Sequence, residues 1–102
     1  MPTVEQALAM IEIEISVCKK EGIKVLKIIH GYGSNGIGGA IRRALPRWSQ
    51  RAKKKGIIKE FVRGENWLHE NEIIFKIKKL CPEIIGDIEL YHANLGVSVI
   101  LI

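Results

Sequence analysis

A histidine, a cluster of glycines and a row of arginines stand close together in this chain. They read His30-Gly31-Tyr32-Gly33-Ser34-Asn35-Gly36, followed by Arg42, Arg43, Arg47 and Arg51. Glycine permits positive φ and close backbone approach. A Gly-rich turn that opens a helix can therefore aim amide N–H groups and the positive end of the helix dipole at an anion. Arg43, Arg47 and Arg51 recur every fourth residue and share one helical face. Guanidinium groups so spaced can follow a series of phosphates, which suits a nucleic-acid backbone better than a free nucleotide. Histidine titrates near neutrality, so His30 is suited to contact a phosphate or to move a proton. It is equally suited to bond the loop backbone and do nothing more. No carboxylate stands beside it in sequence, and both readings stay open. His92, at the end of another predicted strand, is a candidate to approach it.

Other chemistries fit less well. Gly31-Tyr32-Gly33-Ser34-Asn35-Gly36 matches the six-position dinucleotide fingerprint between a predicted strand and helix. However, Arg63 occupies the end of the next strand, where an acid is expected, and the chain is short for two mononucleotide-binding halves. A triphosphate-binding loop needs Gly-Lys-Ser/Thr, which does not follow. No serine lies in a GxSxG elbow. Cys18 and Cys81 show neither CxxC nor ligand spacing and read as reduced thiols. The histidines are scattered, so no metal and no cofactor is expected.

The chain has 102 residues, 47% hydrophobic and 26% charged, a composition that describes one globular domain rather than a disordered segment. Its net charge of +5 is unevenly placed. Nine basic residues lie between Arg42 and Arg63 with only Glu60 against them, and the remainder is mildly acidic. A basic region on an acidic scaffold points to a polyanionic partner. No apolar run approaches the ~20 residues of a membrane helix. The N-terminal stretch carries glutamates through its apolar positions, unlike a signal peptide. The expected location is cytoplasmic, with no membrane contact.

These residues need elements to position them. Thr3-Val4-Glu5-Gln6 fits a capping box, and the apolar spacing from Val4 to Cys18 predicts a helix over 3–21 that stops at Gly22. Lys24 to His30 predicts a mostly buried strand. Ile37, Ile41, Leu45, Trp48 and Ala52 mark the apolar face of a second helix, over 38–54. Pro46 predicts a kink or a fresh first turn within it. Trp48 falls on the apolar face and reads as core. Strands are predicted at 57–62, 87–91 and 97–102, and a helix at 70–80. Alternation of helix and strand favours parallel pairing with a final antiparallel addition.

Together these residues resemble the Smr (small MutS-related) domain. His30-Gly31-Tyr32-Gly33 looks like its HGxG motif, and Thr3-Val4-Glu5-Gln6-Ala7-Leu8 resembles its opening TxxEAL helix. Ala44-Leu45-Pro46-Arg47-Trp48 resembles a VPRWL stretch. Ala93 to Ser98 falls where the family has GGxGAT, with Gly96 and Ser98 matching. The resemblance covers 3–63 and 93–102 and implies one domain, with 64–92 as an insertion. It implies a two-layer α/β sandwich with a mixed, mostly parallel sheet, like the C-terminal domain of translation initiation factor three. It further implies binding of DNA or RNA and, in a number of members, endonuclease nicking. The binding residues would be His30, Gly31, Gly33, Ser34, Asn35, Gly36, Arg42, Arg43, Arg47 and Arg51, and the catalytic acid or base would be His30. The family's first strand carries an LDLHG motif associated with activity. This chain starts just after where that motif would lie, so robust cleavage is not expected. A module whose basic face meets an acidic protein is the remaining alternative.

Without that strand, Val25–Ile29 would lie at an unpaired edge. Either the 64–92 segment supplies a replacement strand, at Asp87–Tyr91, or two chains pair as a homodimer.

Overall fold

The computed structural model describes residues 3–31 and 37–102. Helix α1 (Val4–Lys20) opens on the predicted capping box. The Gln6 amide donates to the Thr3 hydroxyl at 3.1 Å, and the Thr3 amide donates to the Gln6 side chain at 2.9 Å. The helix ends where Gly22 takes φ +74°, a conformation that a β-carbon disfavours. Then come β1 (Val25–Ile29), α2 (Ile37–Lys54), β2 (Glu60–Arg63), α3 (Glu72–Leu80), α4 (Ile88–Tyr91) and β3 (Val97–Leu101). Short 3-10 turns occupy Gly64–Asn66 and Pro82–Gly86.

Helix α2 runs through Pro46 as one element, so no fresh helix starts there. Proline lacks an N–H, so the carbonyl one turn earlier, at Arg42, has no helical donor from it. The Ser49 hydroxyl folds back to donate to the Pro46 carbonyl at 2.7 Å.

The three strands share one sheet in the order β1-β3-β2, and both described pairings are antiparallel. The mostly parallel sheet is thus corrected. β1 and β2, joined through α2, do run in the same direction, but β3 inserts between them. Helical alternation predicts the relative direction of successive strands; it does not predict which strand separates them.

The two-layer arrangement is corrected too. Along β3, Val97, Val99 and Leu101 pack with Trp67, Ile74, Ile77 and Leu90. Ile100 and Ile102 pack on the other face with Ile15, Leu45, Trp48 and Ala52. Strand alternation thus feeds two cores, with α1 and α2 covering one face and α3 and α4 the other. Every residue of β3 is buried, as expected of a central strand covered on both faces. Trp48, 4% exposed, is core as predicted, and its indole N–H donates to the Glu12 carboxylate at 3.0 Å.

Asp87–Tyr91 is not a strand. The Asp87 carboxylate accepts from the Leu90 amide at 3.2 Å and caps α4. That local bond outweighs the β preference of Ile88 and Tyr91. The segment therefore supplies no replacement strand, and among the described residues β1 pairs with β3 alone. It does hold β1 from one face, where the Lys27 ammonium reaches Asp87 at 2.7 Å and also bonds Glu89.

Candidate functional site

β1 and β3 continue their antiparallel register past the ends of the strands. The amides of His30 and Gly31 both donate to the Gly96 carbonyl, at 2.9 and 3.0 Å. Gly31 then leaves the sheet at φ +78°. Gly96 lies against it so closely that a β-carbon there would come within 3.2 Å of the Gly31 backbone. The 93–96 turn is itself fixed, with Ala93 at φ +52° and the Asn94 side chain accepting from the Gly96 amide at 2.7 Å. Glycine is favoured on both sides of this junction, at Gly31 for its dihedral and at Gly96 for its size.

The junction orients His30. Its Nδ1 lies 3.0 Å from the Gly31 carbonyl, which can only accept, so Nδ1 carries the proton. Its Nε2 lies 3.1 Å from the hydroxyl of Ser98, a residue 3% exposed, and in the neutral ring it accepts from that hydroxyl. Burial pushes the imidazole below its ordinary value of 6.5 and outweighs the Gly31 carbonyl, which favours the cation. Arg42 lowers it further, and Glu65 acts in the opposite sense.

A group so depressed binds its proton less readily in the folded chain than in the unfolded one. The stability contributed by His30 is therefore complete above about pH 6.5 and lost as pH falls through the lowered folded value. An NMR titration of the His30 ring should give a midpoint below 6.5 in the free protein, rising when a phosphate-bearing ligand binds. A free-protein midpoint at or above 6.5 would contradict the burial and the Arg42 field.

Arg42, Arg43 and Pro46 of α2 face Arg63 and Glu65 at the end of β2 across a cleft of about 180 Å³. The Nε of Arg42 is buried without a hydrogen-bond partner among the described residues. Farther along α2, Arg43, Arg47 and Arg51 line a shallower concavity of about 550 Å³ floored by Ala40 and Ala44. Arg43 borders both. The described ion pairs are Lys27 with Asp87 and Glu89, and Lys53 with Glu60, so none of these arginines is neutralised by a carboxylate among the described residues.

Of the sequence-predicted set, the structure brings His30, Gly31, Arg42 and Arg43 to one end of the sheet and carries the row outward through Arg47 and Arg51. Gly33, Ser34, Asn35 and Gly36 lie outside the described residues. His92 is exposed, its ring edge-on to Tyr91 with centroids 5.8 Å apart. Glu65 is the described carboxylate whose charge reaches His30. Sequence reading missed Arg63, Glu65 and Ser98 as site residues. Ser98 carried a signal in its match to the family motif, and Arg63 in its place at a strand end. Among the described residues, no group of three or more His, Cys, Asp or Glu side chains could hold a metal ion. Both cysteines are free, and burial raises both thiols above their ordinary value.

A family model described as Smr domain matches residues 1–73. The chain belongs to the Smr domain family. The matched span takes in α1, the His30-Gly31 junction, the whole arginine row and the Arg63–Glu65 corner. It ends within α3, so the partners of His30 on β3 lie beyond it. No curated protein and no solved structure matches the chain. None of the described helices is long and apolar enough to cross a membrane.

Proposed function

We propose that this Smr domain binds DNA or RNA in the cytoplasm by gripping the phosphate backbone. One phosphate sits at the Gly-rich turn beside His30, Gly31 and Arg42, and its neighbours track Arg43, Arg47 and Arg51. Gly33, Ser34, Asn35 and Gly36 of the Gly-rich segment contribute backbone amides and short polar side chains. The observation that carries this reading is the arginine row on α2, which is exposed at Arg43, Arg47 and Arg51 and free of carboxylate partners among the described residues. Like charges four apart on a helix repel weakly, a repulsion that a bound anion relieves, and Arg suits phosphate by its planar fork of donors. Residues 64–92 act as an insertion that builds the second helical layer and carries Glu65 to the site.

The test is the salt dependence of affinity for an oligonucleotide. Each neutralised phosphate releases condensed counterions, so about four contacts give a log–log slope of roughly −3 to −4. Affinity that barely changes between low and high salt would reject backbone binding and favour a module recognising an acidic protein.

The field of Glu65 at His30 favours a second reading, in which a carboxylate–imidazole pair supplies acid–base catalysis of backbone nicking. Both ring nitrogens already serve internal hydrogen bonds, so binding without robust cleavage is the expected outcome. A plasmid-nicking assay decides between them: efficient nicking that disappears in His30→Ala would establish the enzyme.

A further inference from the structure

Among the described residues no strand pairs with the outer edge of β1, and apolar surface lies on both sides of that edge. Ile102 donates to the Lys24 carbonyl at 2.8 Å and His30 to that of Gly96 at 2.9 Å, so Lys24, Leu26, Ile28 and His30 bond inward to β3. In an antiparallel ladder the alternate residues turn both backbone groups the other way. The N–H and C=O groups of Val25, Lys27 and Ile29 therefore face out. Soluble proteins usually blunt such an edge with a proline or a projecting lysine. Val25–Ile29 holds no proline, and its one lysine is drawn onto Asp87 and Glu89 of α4. Ile29 is 67% exposed, and an apolar groove of about 340 Å³, bordered by Met10, Ile11, Leu26 and Ile28, runs beside the strand on the α1 face. On the opposite face Ile88, between the two acids that hold Lys27, is 73% exposed.

We propose that this edge pairs with β1 of a second copy, antiparallel about a two-fold axis through Lys27, joining two three-stranded sheets into one. The outward residues are Val25, Lys27 and Ile29, a set symmetric about its centre, so the edge is complementary to itself in this register. Every outward N–H and C=O of the strand then finds a partner: Val25 with Ile29 of the second copy, Lys27 with Lys27, and Ile29 with Val25. The exposed Ile29 side chain meets half-buried Val25 on one face. Leu26 and Ile28 meet their counterparts over the groove on the other. The two lysines approach each other in the company of Asp87 and Glu89 from both chains, so carboxylates outnumber ammonium groups at the axis. A strand from an unrelated protein would have to supply the same alternation and register; the second copy has both.

Sedimentation of the full chain across a wide concentration range, with amide hydrogen exchange by NMR on the same samples, tests the proposal. The expected result is a reversible approach to twice the 11.5 kDa chain mass, with the Val25, Lys27 and Ile29 amides gaining protection in step. Ile29→Lys places a charge opposite Val25 at a position already exposed, so it should keep the fold by circular dichroism and weaken association about tenfold. Lys27→Pro removes an outward N–H that β3 does not use, and should weaken association as well. Three outcomes overturn the proposal: a monomer at every concentration; a dimer whose Val25, Lys27 and Ile29 amides stay unprotected or that Ile29→Lys leaves intact; or protection of those amides in a monomer, which would mean another strand covers the edge.

Discussion

Replacing Arg43, Arg47 and Arg51 together by glutamine should flatten the salt dependence of nucleic-acid binding by about two to three units of log–log slope and weaken binding roughly 10²-fold at 0.1 M salt. The three side chains are exposed and line one concavity. Among the described residues their removal leaves no buried group unpaired, so the circular dichroism spectrum and the melting temperature should hold. The loss should be uniform across sequences, because phosphate contacts position a protein without reading bases. Lys76→Gln with Lys79→Gln is the matched control. Both lysines are exposed on α3, in the layer across the sheet from the row. That pair should leave the slope nearly unchanged. A slope indifferent to the arginines but sensitive to the lysines would move the interface to the opposite face.

The second large effect is on stability. Gly64 is buried at the corner where β2 turns toward Glu65, and a β-carbon there would overlap the Asn94 carbonyl oxygen and come within 2.5 Å of the Val97 carbonyl oxygen. Both obstacles are backbone and cannot rotate aside. Overpacking of a well-filled site costs typically 1–3 kcal/mol, and backbone obstruction places Gly64→Ala at or above the top of that range, about 3 kcal/mol. For a domain of this size that is a fall of more than about 10 °C in melting temperature. Gly86→Ala, where nothing lies within 4 Å of an added β-carbon, should cost far less. Since Gly64 sits between Arg63 and Glu65, the same substitution should shift the His30 titration by displacing the Glu65 charge. Equal melting temperatures for the two variants would show that the corner yields more readily than its contacts imply.

Local chemistry in this chain was legible where neighbouring residues decide the outcome. The Thr3–Gln6 capping box, the positive-φ stop at Gly22, and the apolar stripes of α1 and α2 depend on spacing alone. So did the three strands that share the sheet and the burial of Trp48. Features set by distant partners were not legible. The place of β3 between β1 and β2 depends on which pairing buries Val97 to Ile102 on two faces, and no local pattern carries that. The field of Glu65 at His30, and the hydrogen bond from Ser98, exist only because the strands meet there. Asp87 is the exception, since a cap residue ahead of Ile88-Glu89-Leu90 was a helix signal; the β preference of the isoleucines and tyrosine around it masked that signal. Helical alternation gave the right relative sense for β1 and β2 and the wrong neighbours.

The central position of β3 also sets a timetable for synthesis. Residues 97–101 hydrogen-bond to both other strands, and β1 and β2 do not bond to each other. While the ribosome is still making the stretch up to Gly96, helices can form and α1 can meet α2, but no sheet exists. β1 and β2 wait as separate strands with both edges open and the apolar side chains of Val25–Ile29, Phe61 and Val62 uncovered, and such species are prone to aggregate. Closure then joins segments far apart in the chain in a single late step, a topology that folds slowly compared with local hairpins. A nascent chain stalled before residue 97 should therefore be the form that needs a chaperone, and release of the last strand the event that ends that need.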